Sequence, residues 1–252
     1  MLTFVVEGTM SKLLAFLTLL CLSFIASAKQ VTIAINSPMP PYVFERQISG
    51  LEIAIINAAF HTQGYRTSFK LSNTLALSSE LSSGAVDGVA QNKQSSLIES
   101  LAIDVYASRN TFFYHNYAIT LGFKRITSLD ELAGLRVVAF LGARTYLGQA
   151  FNDAIESNRF SYVELPNQAK HAQLLHSGEF DVVISDKRIF DYWQRKLNGH
   201  ESSDTKYYKL FEKSARDVKF TNRTLRDEFN KGLAKIIANG SYKEILLEYN
   251  VI

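Results

Sequence analysis

Two stretches of this chain end short apolar runs on polar side chains, an arrangement that binds a solute without needing a reactive group. Residues 81–92 read LSSGAVDGVAQN, and residues 175–186 read LHSGEFDVVISD. Each reads as a helix end, a glycine C-cap and a short buried strand. The first strand ends on Gln91 and Asn92, amides that both donate and accept hydrogen bonds. The second ends on Ser185 and Asp186, a hydroxyl and a carboxylate. In open α/β sheets, ligands gather at the carboxyl ends of the strands. The same phrase at matching places in two halves implies two similar lobes with one cleft between them. Asp87 and Asp181, inside the phrase, read as structural.

Further groups suit that cleft. Gly142, Ala143, Arg144 and Thr145 open a helix, and free N–H groups at such a start hold carboxylates or phosphates. Tyr42 follows Pro40 and Pro41 at the end of the first strand, where an aromatic face stacks on a ligand, including a cationic one. Phe44 follows two residues later. Asp186 also stands at the N-cap of a helix starting at Lys187, a role compatible with ligand contact. The histidines do not gather: His171 and His176 are five apart on a helix and do not share a face. No metal-ligand spacing, glycine-rich phosphate loop or nucleophile elbow occurs. The expectation is therefore binding with no cofactor, no metal and no catalytic residue.

The elements that must position these groups alternate. Residues 31–35 form a strand, 36–42 a stiff proline turn, 51–63 a helix, 65–71 a strand, 74–83 a helix and 86–90 a strand. The pattern restarts with strands over 116–123 and 135–140, then a helix over 142–152. Strands over 160–165 and 180–185 follow, separated by a helix over 167–176. A helix over 187–197, a strand-like stretch over 207–211 and an amphipathic helix over 224–238 come next, the last with Leu225, Phe229, Leu233, Ile236 and Ile237 on one stripe. A final helix runs to Tyr249. Such alternation predicts an α/β fold, mostly parallel sheets with helices on both faces. Lobe 1 takes residues 29–119 and 209–252, and lobe 2 takes 120–208. Crossing strands near 118–121 and 207–210 would form a hinge.

Residues 1–28 read as a secretory signal. Lys12 supplies the positive charge, 13–25 are uncharged and apolar, and Ala26-Ser27-Ala28 is a small-x-small cleavage site. Glu7 is foreign to such a leader and points to Met10 as the start. The apolar run is shorter than the roughly 20 residues of a spanning helix. The one cysteine, Cys21, leaves with the signal, so the mature chain has no thiol chemistry. The segment removes Lys12 and Glu7 together, so the net charge stays at +3, too weak to imply nucleic-acid or membrane binding. A monomer in the periplasm is expected.

In order and spacing, several segments resemble the bacterial solute-binding proteins of family 3, the polar amino acid class of periplasmic binding proteins. They are Pro41-Tyr42-Val43-Phe44 with Gly50-Leu51-Glu52-Ile53, the Gly-x-Val-Asp phrase of lobe 1, Ser128 to Val138, Gly178 to Asp186, and Asn239 to Ile245. The resemblance covers nearly the whole mature chain. It implies the two-lobed, hinged fold of that class and capture of a small polar, amino acid-like solute for an ABC transporter. It also implies that Asp186 accepts the ligand's ammonium and that Tyr42 covers the ligand. The chain departs from the family where a ligand carboxylate meets a bidentate arginine. Residues 91–99 contain no arginine, and Glu99 stands near its place. Lys93 and Arg109 are the cations left to replace it. The family's Gly-Thr helix start reads Gly142-Ala143 here. Two alternatives stay open: an adaptor that presents its ligand to a membrane sensor, and a dehydratase- or lyase-like enzyme using Glu99. For the binding reading, Asp186→Ala is expected to remove most affinity and leave the fold intact.

Overall fold

The computed structural model describes residues 29–36, 38–92, 98, 103–122, 125–157, 159–199 and 202–250. The signal segment, Lys93 and Glu99 lie outside them. Strand β1 (Lys29–Asn36) carries the apolar run Val31 to Ile35, and Val31, Ile33, Ala34 and Ile35 are buried. That follows from its place between two parallel neighbours, β2 (Tyr65–Ser72) and β3 (Gly88–Asn92). Helix α1 (Leu51–His61) and helix α7 (Arg223–Ala238) pack against each other, with Phe60, Phe220 and Phe229 in one cluster. Gly232 makes their closeness possible. A Cβ there would lie 2.0 Å from the Ala59 carbonyl oxygen. Helix α2 (Thr74–Ser82) contributes Leu77 and Leu81 to a separate cluster with Val89. Asn73 caps it by accepting the Ala76 N–H at 2.9 Å.

Strand β4 (Tyr106–Ala107) pairs with β10 (Lys213–Phe220), which lies between β3 and β5 (Phe112–Leu121). Strand β5 belongs to both halves of the sheet. Phe112 to His115 pair with β10, whereas Asn116 to Ile119 pair with β8 (Val182–Asp186) and Ala118 to Leu121 with β9 (Thr205–Tyr208). Strand β6 (Arg136–Phe140) runs parallel to β8 and to β7 (Ser161–Leu165). The spatial order is β2-β1-β3-β10-β5-β8-β6-β7. Around the second half lie α3 (Ala143–Tyr146), α4 (Gln149–Glu156), α5 (Ala169–His176) and α6 (Lys187–Asn198), and α8 (Ser241–Glu248) closes the chain's helices. Asp87 and Asp181 do the structural work expected of them: each accepts a strand N–H, from Thr32 and Arg136 respectively.

Three sequence expectations are corrected. The helix over 142–152 is two helices, because Gly148 between them adopts φ 92, a left-handed conformation that suits glycine. The first crossing comes earlier than 118–121: β5 begins at Phe112 and changes partners between His115 and Asn116. The returning strand is not 207–210, since β9 pairs with the second half of β5, and the chain re-enters the first half as β10. Strand β10 reads KSARDVKF, and its charges conceal it from a hydrophobicity pattern. Arg216, Asp217 and Lys219 are nevertheless buried. Arg216 reaches that state through a bidentate pair with buried Glu52, at 2.7 Å and 2.9 Å from Nη2.

Candidate functional site

Asp186 ends β8 and is 3% exposed. Its Oδ1 accepts the backbone N–H groups of Arg188 at 2.9 Å and Ile189 at 3.2 Å, which makes it the N-cap of α6. The same oxygen accepts the Tyr42 hydroxyl at 2.8 Å, and Oδ2 accepts the His115 N–H at 2.8 Å. Burial raises its carboxyl pKa, and these hydrogen bonds together with the Arg188 charge oppose that rise. The capping role expected of Asp186 is present. Its carboxylate is committed to four protein donors.

Tyr42 is buried rather than laid over a cleft. Its ring stacks on Phe112 at 5.1 Å and meets the edge of Tyr114 at 4.6 Å. The expected aromatic lid is thus a core residue, whose hydroxyl ties the first half of the fold to Asp186 in the second. The Arg188 guanidinium donates to that hydroxyl at 3.2 Å and to the Phe113 carbonyl at 3.3 Å. Phe44 meets Tyr192 of α6 edge-on at 5.7 Å, a second contact between the halves. A third runs from Gln168 to Met39: the amide Nε2 lies 3.8 Å from the sulfur, and Ser185 Oγ donates to Gln168 Oε1 at 3.4 Å.

Gln91 is 2% exposed, and its Nε2 has no hydrogen-bond partner among the described residues. The register Ile35↔Ala90 sets residue Asn36 beside Gln91, and the Asn36 Oδ1 is likewise buried without a partner among the described residues. Two orphaned amide atoms thus lie at the carboxyl ends of adjacent parallel strands, and a buried amide left unpaired costs about 1–3 kcal/mol. Asn92 donates through Nδ2 to Ser214 Oγ at 2.7 Å. Arg109 is exposed, and its backbone N–H donates to Asn230 Oδ1 of α7 at 2.8 Å. No hydrogen bond among the described residues joins it to Gln91 or Asn92.

The helix start at 142–145 is already filled. The Gly142 N–H donates to Glu164 Oε2 at 2.7 Å and the Arg144 N–H to Glu164 Oε1 at 2.9 Å. Tyr162 donates its hydroxyl to the same Oε1 at 2.7 Å. Burial works against this carboxylate, yet the hydrogen bonds from Arg144, Tyr162 and Gly142 outweigh it and hold the pKa below the ordinary range. The Arg144 side chain turns onto α4, bonding Asn152 at 2.9 Å and Glu156 at 3.3 Å. Ala143 is buried and Thr145 is exposed. The anion expected from outside is supplied by the chain itself, through a residue that sequence reading passed over. Its signal was a glutamate inside the strand segment 160–165. Among the described residues, no group of three or more His, Cys, Asp or Glu is placed to hold a metal, and no helix is long and apolar enough to cross a membrane.

No protein-family model matches the chain, and neither does any curated protein. Solved structures do. The probable amino-acid ABC transporter extracellular-binding protein ytmK from Bacillus subtilis superposes with a TM-score of 0.72 at 21% identity, over 90% of this chain and 100% of that one. The fold is that of the two-lobed periplasmic binding proteins. An ancestral arginine-binding protein bound to arginine gives 0.66 at 20% identity, over 87% of this chain and 97% of that one. A histidine kinase sensor domain with similarity to periplasmic binding proteins gives 0.68 at 16% identity, over 87% and 95%. At these identities the likeness establishes the fold, and the two halves of the sheet joined through β5 are its lobes.

Proposed function

We propose that this chain is an exported solute-binding protein that closes its lobes over a small polar or zwitterionic, amino acid-like molecule and delivers it to an ABC transporter. One observation carries the reading: Asn36 Oδ1 and Gln91 Nε2, buried and without a hydrogen-bond partner among the described residues, belong to residues at the carboxyl ends of adjacent strands in a fold that binds ligands between its lobes. A solute supplying one acceptor and one donor would satisfy both. Similarity to ytmK supports the transport role, and similarity to the arginine-binding protein supports an amino acid-like solute. The grip differs from an arginine-clamped carboxylate. No arginine occurs in residues 91–99, and Glu164 fills the helix start opposite. Recognition therefore rests on neutral hydrogen bonds, with Asn92 and Ser185 as neighbouring groups, and residues 1–28 act as the signal segment. Binding without turnover is the role proposed.

The test is thermal unfolding of residues 29–252 against amino acids, polyamines, small carboxylates and sugars. A ligand at 100 times its dissociation constant adds about 2.7 kcal/mol of stability. One compound, or a closely related set, is expected to stabilise the wild type and to lose at least tenfold in affinity in Gln91→Leu. Absence of stabilisation across the panel at millimolar concentration refutes the proposal. The sensor domain among the structural neighbours favours a second reading, in which the loaded protein is presented to a membrane receptor. Co-purification with a permease rather than a receptor separates the two.

A further inference from the structure

A cavity of about 400 Å³ lies between α6 and α8, against β5. Neither Gln91, Asn92 nor the 142–145 segment lines it. Its walls carry three cations, Lys187, Arg188 and Lys213, and two carboxylates, Asp186 and Asp191. The carboxylates are spent. Lys187 pairs with Asp191, which also accepts the Tyr207 hydroxyl, and Asp186 is held by the four donors described above. Arg188 is half-buried, yet among the described residues it has no ion-pair partner and donates to two neutral oxygens at 3.2 Å and 3.3 Å. Lys213 is exposed, pairs across the strands with His115 and likewise has no carboxylate partner among the described residues.

Arg188 meets the Asp186 charge only through the bridging Tyr42 hydroxyl, without a direct ion pair, and a bidentate carboxylate is the best direct partner for its guanidinium. The wall also carries rings, Phe113, 43% exposed, with Tyr117 and Tyr242, beside Leu51 and Leu246. Such rings favour a planar body between them. Burial first, and then the nearby Lys213 and Lys209 charges, lower the His115 pKa, in keeping with a positive local field.

We infer that this cavity is a second binding site, for a small aromatic carboxylate held by Arg188 and Lys213 and stacked among Phe113, Tyr117 and Tyr242. Its lining includes neither Asn36 nor Gln91, the residues on which the proposed solute site rests. Its walls come from both lobes, Lys187 and Arg188 from α6 and Tyr242 from α8, so an occupant bridges them.

Calorimetric titration of the mature protein tests this, with benzoate as probe, benzamide as its neutral isostere and inorganic phosphate as an anion lacking the ring. Benzoate is expected to bind at least tenfold more tightly than either. Arg188→Gln and Lys213→Gln should each weaken it about tenfold, and Lys235→Gln, an exposed charge on α7, should not. Lys213 is exposed, so its variant stays informative if Arg188→Gln unfolds. The site is refuted if benzoate does not bind, if benzamide binds equally well, or if Lys213→Gln leaves benzoate affinity unchanged. A panel without any cleft ligand leaves this outcome untouched, because neither assay depends on the other.

Discussion

Asp186→Ala should destabilise the fold, contrary to the sequence expectation that it would spare it. The side chain satisfies the N–H groups of Arg188 and Ile189 as a helix cap, and losing such a cap costs about 1 kcal/mol. It also satisfies the Tyr42 hydroxyl and the His115 N–H, and orphaning each buried donor costs about 1–3 kcal/mol. Relief from burying a carboxylate, the effect that raises its pKa, returns part of this. The balance is about 3 kcal/mol, or a fall in Tm of about 6–12 °C for a protein of this size. Urea unfolding followed by circular dichroism reads it directly. Asp186→Asn should cost less, about 2 kcal/mol: its oxygen still accepts from Tyr42 and the cap N–H groups, and its NH2 opposes the His115 N–H. A loss below about 1 kcal/mol in the alanine variant would refute the view that this carboxylate is a structural tie.

Gly232→Ala drives a methyl group to 2.0 Å from the Ala59 carbonyl oxygen, so α1 and α7 must separate. The expected loss is about 3 kcal/mol, and stability within about 0.5 kcal/mol of wild type would count against the packing described. His171 is 1% exposed, and burial lowers its pKa from 6.5 to about 4. Between those values the unfolded chain takes up a proton that the folded chain refuses, so stability should fall as pH drops from 6.5 to 4, by about 3 kcal/mol from this residue. His171→Leu should flatten that part of the urea midpoint-versus-pH curve; parallel curves would contradict it.

Sequence reading located the fold through patterns that burial itself creates. The repeated helix-glycine-strand phrase became β3 and β8, because strands covered on both faces must be apolar throughout. It failed where charge pairs replace apolar residues. Strand β10 was missed because Arg216 is buried only by virtue of Glu52, a partner invisible in the local sequence. The site was half legible. The strand-end position of Gln91 followed from the pattern, and the cap at Asp186 from its place before Lys187. That Tyr42 is core and that Glu164 fills the helix start depended on side chains far apart in sequence: Tyr42 and Asp186 are separated by 144 positions.

The position of β10 also governs the order in which the molecule can assemble. It is the middle strand joining β3 to β5, yet it is among the last segments synthesised. Until it arrives, β3 and β5 each expose an open edge, and Glu52 waits for an arginine 164 positions downstream. The second lobe, whose β6, β7 and β8 are contiguous in the chain, needs no such late arrival. Pairings this distant close slowly. The first lobe is therefore the slow unit. A chain emerging N-terminus first stays unable to lock until nearly all of it is available.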